Sequence, residues 1–174
     1  MSLAVIYNDT LIADRCIILK DPHALGQCLK VSKIFVSPDM TFAYGSIGVT
    51  LSEKEKPILG AMIAEALTGH EDQHVLLRLV HEEWFNNHDG INVYVMTKKS
   101  TFIVTKSENT GRWYLNRVDP SIPVGGGTGI QVATVALLEG VPATELVPIV
   151  ADVIMTVSPE FDIVHRKDLK EMKS

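Results

Sequence analysis

The sequence predicts an α+β fold in which two antiparallel sheets stack face to face and each is covered by a pair of helices. Three observations predict it. Short β-rich runs are joined by tight turns rather than by long crossovers. The helical segments come in adjacent pairs instead of alternating with single strands, which argues against a Rossmann-type fold. The order of elements is strands, two helices, strands, two helices and a final strand, and two stacked sheets with helices outside would bury every apolar face that this order creates.

The elements follow in order. Leu3 to Tyr7 and Thr10 to Asp14 are apolar runs split by Asn8-Asp9, a hairpin signal. Arg15 to Leu19 continues as strand, and Lys20 to Gln27, with Pro22 and Gly26, reads as a loop. Lys33 to Ser37 is a strand, Pro38-Asp39 a turn, and Met40 to Gly45 the returning strand, ended by Gly45-Ser-Ile-Gly48. Ser52-Glu-Lys-Glu55 is a capping box. The helix it opens has Ile58, Leu59, Met62, Ile63, Ala66 and Leu67 at helical spacing and stops at Thr68-Gly69. A second helix is predicted over Glu71 to Phe85, with Val75, Leu76, Leu79, Val80 and Trp84 on one side. Strands are expected over Ile91 to Met96, Thr101 to Thr105 and Arg112 to Val118. Gly125-Gly126-Gly127 precedes a helix that opens at Thr128 or Gly129 and ends at Glu139, with Gly140 past its end. Pro142-Ala-Thr144 starts the last long helix, where Pro148 is expected near the first turn. Ile163 and Val164 form a final short strand.

Length and composition bound the function. A chain of 174 residues with 46% hydrophobic and 21% charged residues is expected to be one domain, residues 1–174, with a sizeable core. A net charge of −5 without any Lys/Arg cluster gives no support to nucleic-acid binding. Cys16 and Cys28 are too few for a disulfide framework and suit buried thiols in a reducing cytoplasm. No signal peptide is expected, and no apolar run approaches the ~18 residues that a membrane span needs.

Four features carry potential chemistry. Met1-Ser2 is a pair from which aminopeptidases remove Met, because Ser is small. Removal would leave Ser2 with a free α-amine, partly neutral at pH 7, next to its own hydroxyl, where it could act as a base. His70-Glu-Asp-Gln-His74 fits H-E-x-x-H, but it lies at a helix start, carries Asp72 beside Glu71 and lacks a downstream ligand extension. It reads as a solvated acidic first turn rather than a zinc site. The glycine run before a helix could cradle a phosphate, yet it lacks a P-loop lysine. Close passage of a strand into a packed helix explains it more simply. Lys33 at the head of a strand and Asp14 at the end of one read, taken singly, as an edge lysine and a turn or salt-bridge acid.

Taken together, these signals resemble the proteasome β-subunit family of N-terminal nucleophile hydrolases, closest in pattern to bacterial ring-protease and phage-type members. A small hydroxyl residue opens a strand, and Ala13-Asp14 closes the next. Lys33-Ile-Phe begins a later strand, and Tyr44-Gly45-x-x-Gly48 ends the second hairpin. A helical pair follows, then the Gly-rich turn into Gln131-Val-Ala-Thr-Val-Ala-Leu-Leu-Glu139. The resemblance spans roughly residues 2–165 and implies a four-layer αββα sandwich. It implies Ser2 as nucleophile, in the place where the family mostly has Thr, with its α-amine as base. Lys33 would favour the deprotonated hydroxyl and amine, Asp14 would pair with Lys33, and the Gly45 N–H would donate to the oxyanion. Gly126, Gly127 and Thr128 would form the supporting loop. The pattern departs from the family at Met155 to Glu160, where Ser158 stands without the Asp that some relatives carry three residues earlier.

The implied activity is threonine-protease-like hydrolysis of peptide or amide bonds in a cytoplasmic homo-oligomer or ring, with no cofactor and no metal. A peptide or protein would be the substrate, and an unfoldase ATPase is a candidate partner; neither nucleic acid nor membrane is. The alternative is a catalytically silent proteasome-like module used for assembly or partner binding.

Overall fold

The computed structural model describes residues 3–18, 28–70 and 73–173. The chain is α+β, with four helices and two larger antiparallel sheets among these residues. Strands β1 (Leu3–Tyr7) and β2 (Thr10–Asp14) form the predicted hairpin, with Asn8 at φ 49° in its turn. β3 (Cys16–Ile18) and β4 (Cys28–Lys30) pair as a separate two-stranded ribbon. The loop expected over Lys20 to Gln27 lies outside the described residues, as do Ser2 and the side chains of Cys16 and Cys28. β5 (Ile34–Val36) and β6 (Phe42–Ile47) form the second hairpin. Helix α1 (Glu55–Leu67) starts at the predicted capping box. Ser52 N–H donates to Glu55 Oε2 at 2.7 Å and Glu55 N–H to Ser52 Oγ at 3.2 Å.

The predicted helix over Glu71 to Phe85 is corrected. Val75–Leu76 is an edge strand, β7, and the helix α2 is shorter, Leu79–Asn87. β-branched Val75 and its neighbours find backbone partners on the sheet edge, where Leu77 N–H donates to Trp113 C=O at 2.9 Å. The buried face of α2 is also different from the expected one. Leu79 and Val80 are 70% and 59% exposed, whereas His81, Glu82 and Phe85 are buried. Glu82 fixes that rotation, because its Oε1 accepts Arg112 Nε–H at 2.7 Å and Trp113 N–H at 3.1 Å. On α1, Ile58 likewise lies outside the buried stripe.

Strands β8 (Asn92–Thr97), β9 (Thr101–Lys106) and β10 (Trp113–Val118) follow as predicted. The glycine run differs from an open loop: Val124–Gly127 is a strand, β11, antiparallel to β1 with Leu3 opposite Gly127 and Ala4 opposite Gly126. Helices α3 (Ile130–Leu138) and α4 (Ala143–Val153) form an adjacent pair, with Gly140 at φ 87° between them. Pro148 is the sixth residue of α4, beyond the first turn where it was expected. The amide that a proline lacks would have served the C=O of Thr144, an exposed residue that water can reach. β12 (Phe161–His165) pairs with β2.

The strand order is β11-β1-β2-β12 in one sheet and β5-β6-β8-β9-β10-β7 in the other. Period-two alternation divides the apolar side chains into three clusters. Leu3, Val5 and Ile12 pack with Ala133, Leu137, Leu146 and Val150 of α3 and α4. Ala4, Ile6, Leu11 and Ala13 pack instead with Ala43, Ile47, Tyr94 and Met96 of the six-stranded sheet. The other face of that sheet packs Phe42, Tyr44, Val95 and Phe102 with Leu59, Ile63 and Leu67 of α1 and Phe85 of α2.

Arg166 pins the two sheets at their turn ends. Its guanidinium donates to the C=O of Asn8 (2.8 Å), Thr97 (2.6 Å) and Ser100 (2.8 Å) and to Thr101 Oγ1 (2.8 Å). Arg166→Met strands these acceptors and is expected to destabilise the fold by about 2–4 kcal/mol in urea unfolding. Arg166→Lys recovers only part of the loss, because a point charge cannot span the same fork of acceptors.

Candidate active site

The site is built at the opposite end of β1 and β2 from their turn. Asp14 ends β2 and is 0% exposed. Lys33 lies just before β5 and is 8% exposed. Lys33 Nζ donates to Asp14 Oδ1 at 2.5 Å. The same oxygen accepts the N–H of Leu3 at 2.8 Å, and Oδ2 accepts the N–H of Ser158 at 3.2 Å. The carboxylate thus holds a side-chain cation and two backbone amides from separate segments. Burial of these two charges costs several kcal/mol each unless their hydrogen-bonding capacity is met, and the two amides help to meet it. Burial pulls the Lys33 ammonium below the ordinary lysine range, while its hydrogen bond to Asp14 and the charge of Asp14 act in the opposite direction.

Gly45 lies in β6, in register with Ile34 and Tyr94. A Cβ there would stand 3.2 Å from Leu11 Cδ1 and 3.5 Å from the Ala4 Cβ, so its bareness lets the hairpin of β1 and β2 approach. The next residue, Ser46, donates its N–H to the Lys33 C=O at 3.1 Å and holds the lysine's backbone against β6. Gly126 and Gly127 belong to β11, beside the first residues of β1. A Cβ on Gly125 would come within 2.2 Å of the Ala4 C=O oxygen, so close backbone approach accounts for the glycines. Thr128 is exposed, and its Oγ1 shares a 2.7 Å hydrogen bond with Thr156 Oγ1.

The structure therefore brings Asp14 and Lys33 together, sets Gly126 and Gly127 on the strand beside the start of β1, and sets Gly45 on the facing sheet against Ala4. Leu3 itself faces α3 and α4, away from the gap between the sheets. The contribution of the Leu3 and Ser158 amides was not legible in the sequence, since any residue type supplies an N–H. In the sequence the segment around Ser158 stands out only for the Asp it lacks. Of the H-E-x-x-H match, Glu71 and Asp72 lie outside the described residues. His70 sits in a turn and His74 precedes β7, where its Nδ1 accepts the Arg117 N–H at 3.2 Å, so the two histidines share no helix.

The fold of this chain is one that solved structures of low sequence identity share. Among solved structures, the chain is similar to eukaryotic HslV from Trypanosoma brucei, with a TM-score of 0.60 and 15% identity, covering 94% of this chain and 97% of that one. It is also similar to Thiobacillus denitrificans BPH, with a TM-score of 0.58 and 12% identity over 94% of this chain and 96% of that one. No family model and no curated protein sequence matches the chain.

The lowered Lys33 value sets a pH dependence. Between that value and the unfolded one near 10.5, the unfolded chain binds the extra proton, so this group's contribution to stability rises with pH. As pH falls through the folded value, that contribution is lost. The expected outcome is that unfolding free energy, measured from pH 7 to 10, has a more positive slope in the wild type than in Lys33→Met. Asp14→Ala, which leaves the lysine buried alone, should cost about 3–5 kcal/mol at pH 7. Asp14→Asn combined with Lys33→Met should recover much of it.

Proposed function

We propose that the chain is a proteasome-like N-terminal nucleophile hydrolase that cleaves peptide or amide bonds with Ser2, freed by removal of Met1. The observation that carries this reading is the convergence on Asp14: the buried Lys33 ammonium and the Leu3 amide share one carboxylate oxygen. That amide belongs to the peptide bond joining Leu3 to Ser2, so the charge pair is anchored at the residue following the nucleophile. Ala4 and Ile6, on the strand that follows Ser2, face the gap between the sheets.

In the proposed reaction the Ser2 hydroxyl oxygen attacks the scissile carbonyl carbon, and its proton passes to the neutral α-amine. The Lys33 charge favours the neutral amine and the developing alkoxide. Collapse expels the leaving amine, which takes the proton, and leaves a Ser2 ester. Water then hydrolyses the ester with the α-amine again as base. Gly126 and Gly127 support the start of β1 through β11, and Thr128 follows them, tied to Thr156. The proposal includes a single four-layer αββα domain over residues 1–174, assembly into a homo-oligomeric ring in the cytoplasm, and protein substrates delivered by an unfoldase ATPase.

The second reading is a catalytically silent assembly or binding module. It is favoured by the exposed apolar side chains of Val135, Leu138, Val153 and Met155 on and just after α3 and α4, which suit a contact surface.

Intact mass and labelling with a peptide epoxyketone separate the two readings. The hydrolase reading expects loss of Met1 and an adduct mapped to Ser2, absent in Lys33→Ala. Retained Met1 with no adduct would establish the assembly module instead.

A further inference from the structure

We infer that Lys56 is a positioning residue: from the first turn of α1 it holds the Ser32–Lys33 segment so that the Lys33 ammonium reaches Asp14. The inference rests on the hydrolase reading and adds to it a residue that neither the sequence pattern nor the Asp14–Lys33 pair supplies. Lys33 lies just before β5, an edge strand of three residues that pairs with β6. The register runs from Ile34 to Val36, so the backbone ahead of it needs other ties. Val31 N–H donates to the Arg15 C=O at 2.9 Å, and the Lys33 C=O accepts the Ser46 N–H at 3.1 Å. Between these two ties, the Ser32 C=O accepts a hydrogen bond from Lys56 Nζ at 2.9 Å. The peptide unit joining Ser32 to Lys33 is planar and stiff, so a shift of that carbonyl is passed to Lys33.

The inward position of Lys56 is not explained by its helix. Lys56 is the second residue of α1, where the positive end of the helix dipole disfavours a cation. Its Nζ also meets Glu53 Oε1 at 2.7 Å, but Glu53 is 84% exposed, and that pair could form as well in water. The Lys56 side chain is nevertheless buried. Keeping an ammonium from water is costly unless its donors are spent, and the contact that draws it inward is the one to Ser32. Further ties lock the β5–β6 hairpin to α1. Tyr44 Oη donates to the Lys56 C=O at 2.9 Å, and Phe35 stacks on Tyr44. The Phe35 ring also lies against Gly60, where a Cβ would stand 2.5 Å from Phe35 Cε1. The helix that covers the six-stranded sheet thus sets the height of the lysine that enters the site.

The test uses the full chain and two readouts: the titration of labelled lysine side chains by NMR, with Lys33 assigned by its loss in Lys33→Met, and the rate of Ser2 labelling by a peptide epoxyketone. In Lys56→Met the freed segment admits water to the Lys33 ammonium. Burial is the larger influence on that group, so it is expected to titrate closer to the ordinary lysine range than in the wild type. Labelling of Ser2 is expected to slow about tenfold through misplacement of Lys33. Lys56→Gln, whose amide ends one bond short of the ammonium, carries the same expectation and serves if Lys56→Met does not fold. Ser52→Ala weakens the capping box with Lys56 in place, and it is expected to leave the Lys33 titration unmoved. An unchanged Lys33 titration in the Lys56 variants would overturn the inference. An equal displacement in Ser52→Ala would overturn it too, making Lys56 a helix residue only, and in both cases the hydrolase reading stands if Ser2 is labelled. A wild-type protein that is not labelled would remove the hydrolase reading, and with it the role of Lys56 in a reaction.

Discussion

The buried ion pair between Asp14 and Lys33 is the constraint on which the rest of the site depends. A carboxylate with no solvent exposure must have its lone pairs met inside the protein. Lys33 supplies the opposing charge, and the amides of Leu3 and Ser158 supply further donors. These four residues come from four segments: the start of β1, the end of β2, the entry to β5 and the turn before β12. Meeting the needs of one carboxylate therefore fixes the relative positions of both sheets at this end of the molecule. It also fixes the first described residue of the chain by its backbone, independent of its side chain.

The gap between the sheets is clamped at both ends by a buried cation. Lys33 works at the end where β1 begins, and Arg166 at the end where the β1–β2 and β8–β9 turns meet. Between them the facing surfaces combine small residues, Ala4, Ala13, Ala43, Gly45 and Gly126, with the larger Ile6, Leu11, Ile47, Tyr94 and Met96. Small residues allow long side chains to reach across from the opposite sheet, which is how Tyr94 comes to touch β11.

Much of the fold was legible because its signals are local. The Asn8-Asp9 turn, the Ser52–Glu55 capping box and Gly140 past α3 each specify backbone geometry through their own side chain or lack of one. The segment around Val75 was misread because an apolar run fits either a helix or a strand. Its partner, β10, lies about forty residues away in sequence. The rotation of α2 was missed for a related reason: buried Glu82 is set by Arg112 and Trp113 from a distant strand, and an acid on a helix reads as an outward residue. At the site, Asp14 and Lys33 each had an ordinary explanation alone, and only their order along the chain connected them. The amides of Leu3 and Ser158 carry no residue-type signature.

The most direct measurement is the titration of the Ser2 α-amine, followed by NMR with labelled serine, in the wild-type protein and in Lys33→Met. The proposed mechanism requires the lysine's positive charge to act on that amine, where a like charge disfavours protonation. It predicts that the amine of the wild type titrates below the ordinary range for a chain terminus and returns toward that range in Lys33→Met. An amine that titrates identically in both proteins would mean that the Asp14–Lys33 pair does not act on Ser2, and would contradict the central claim.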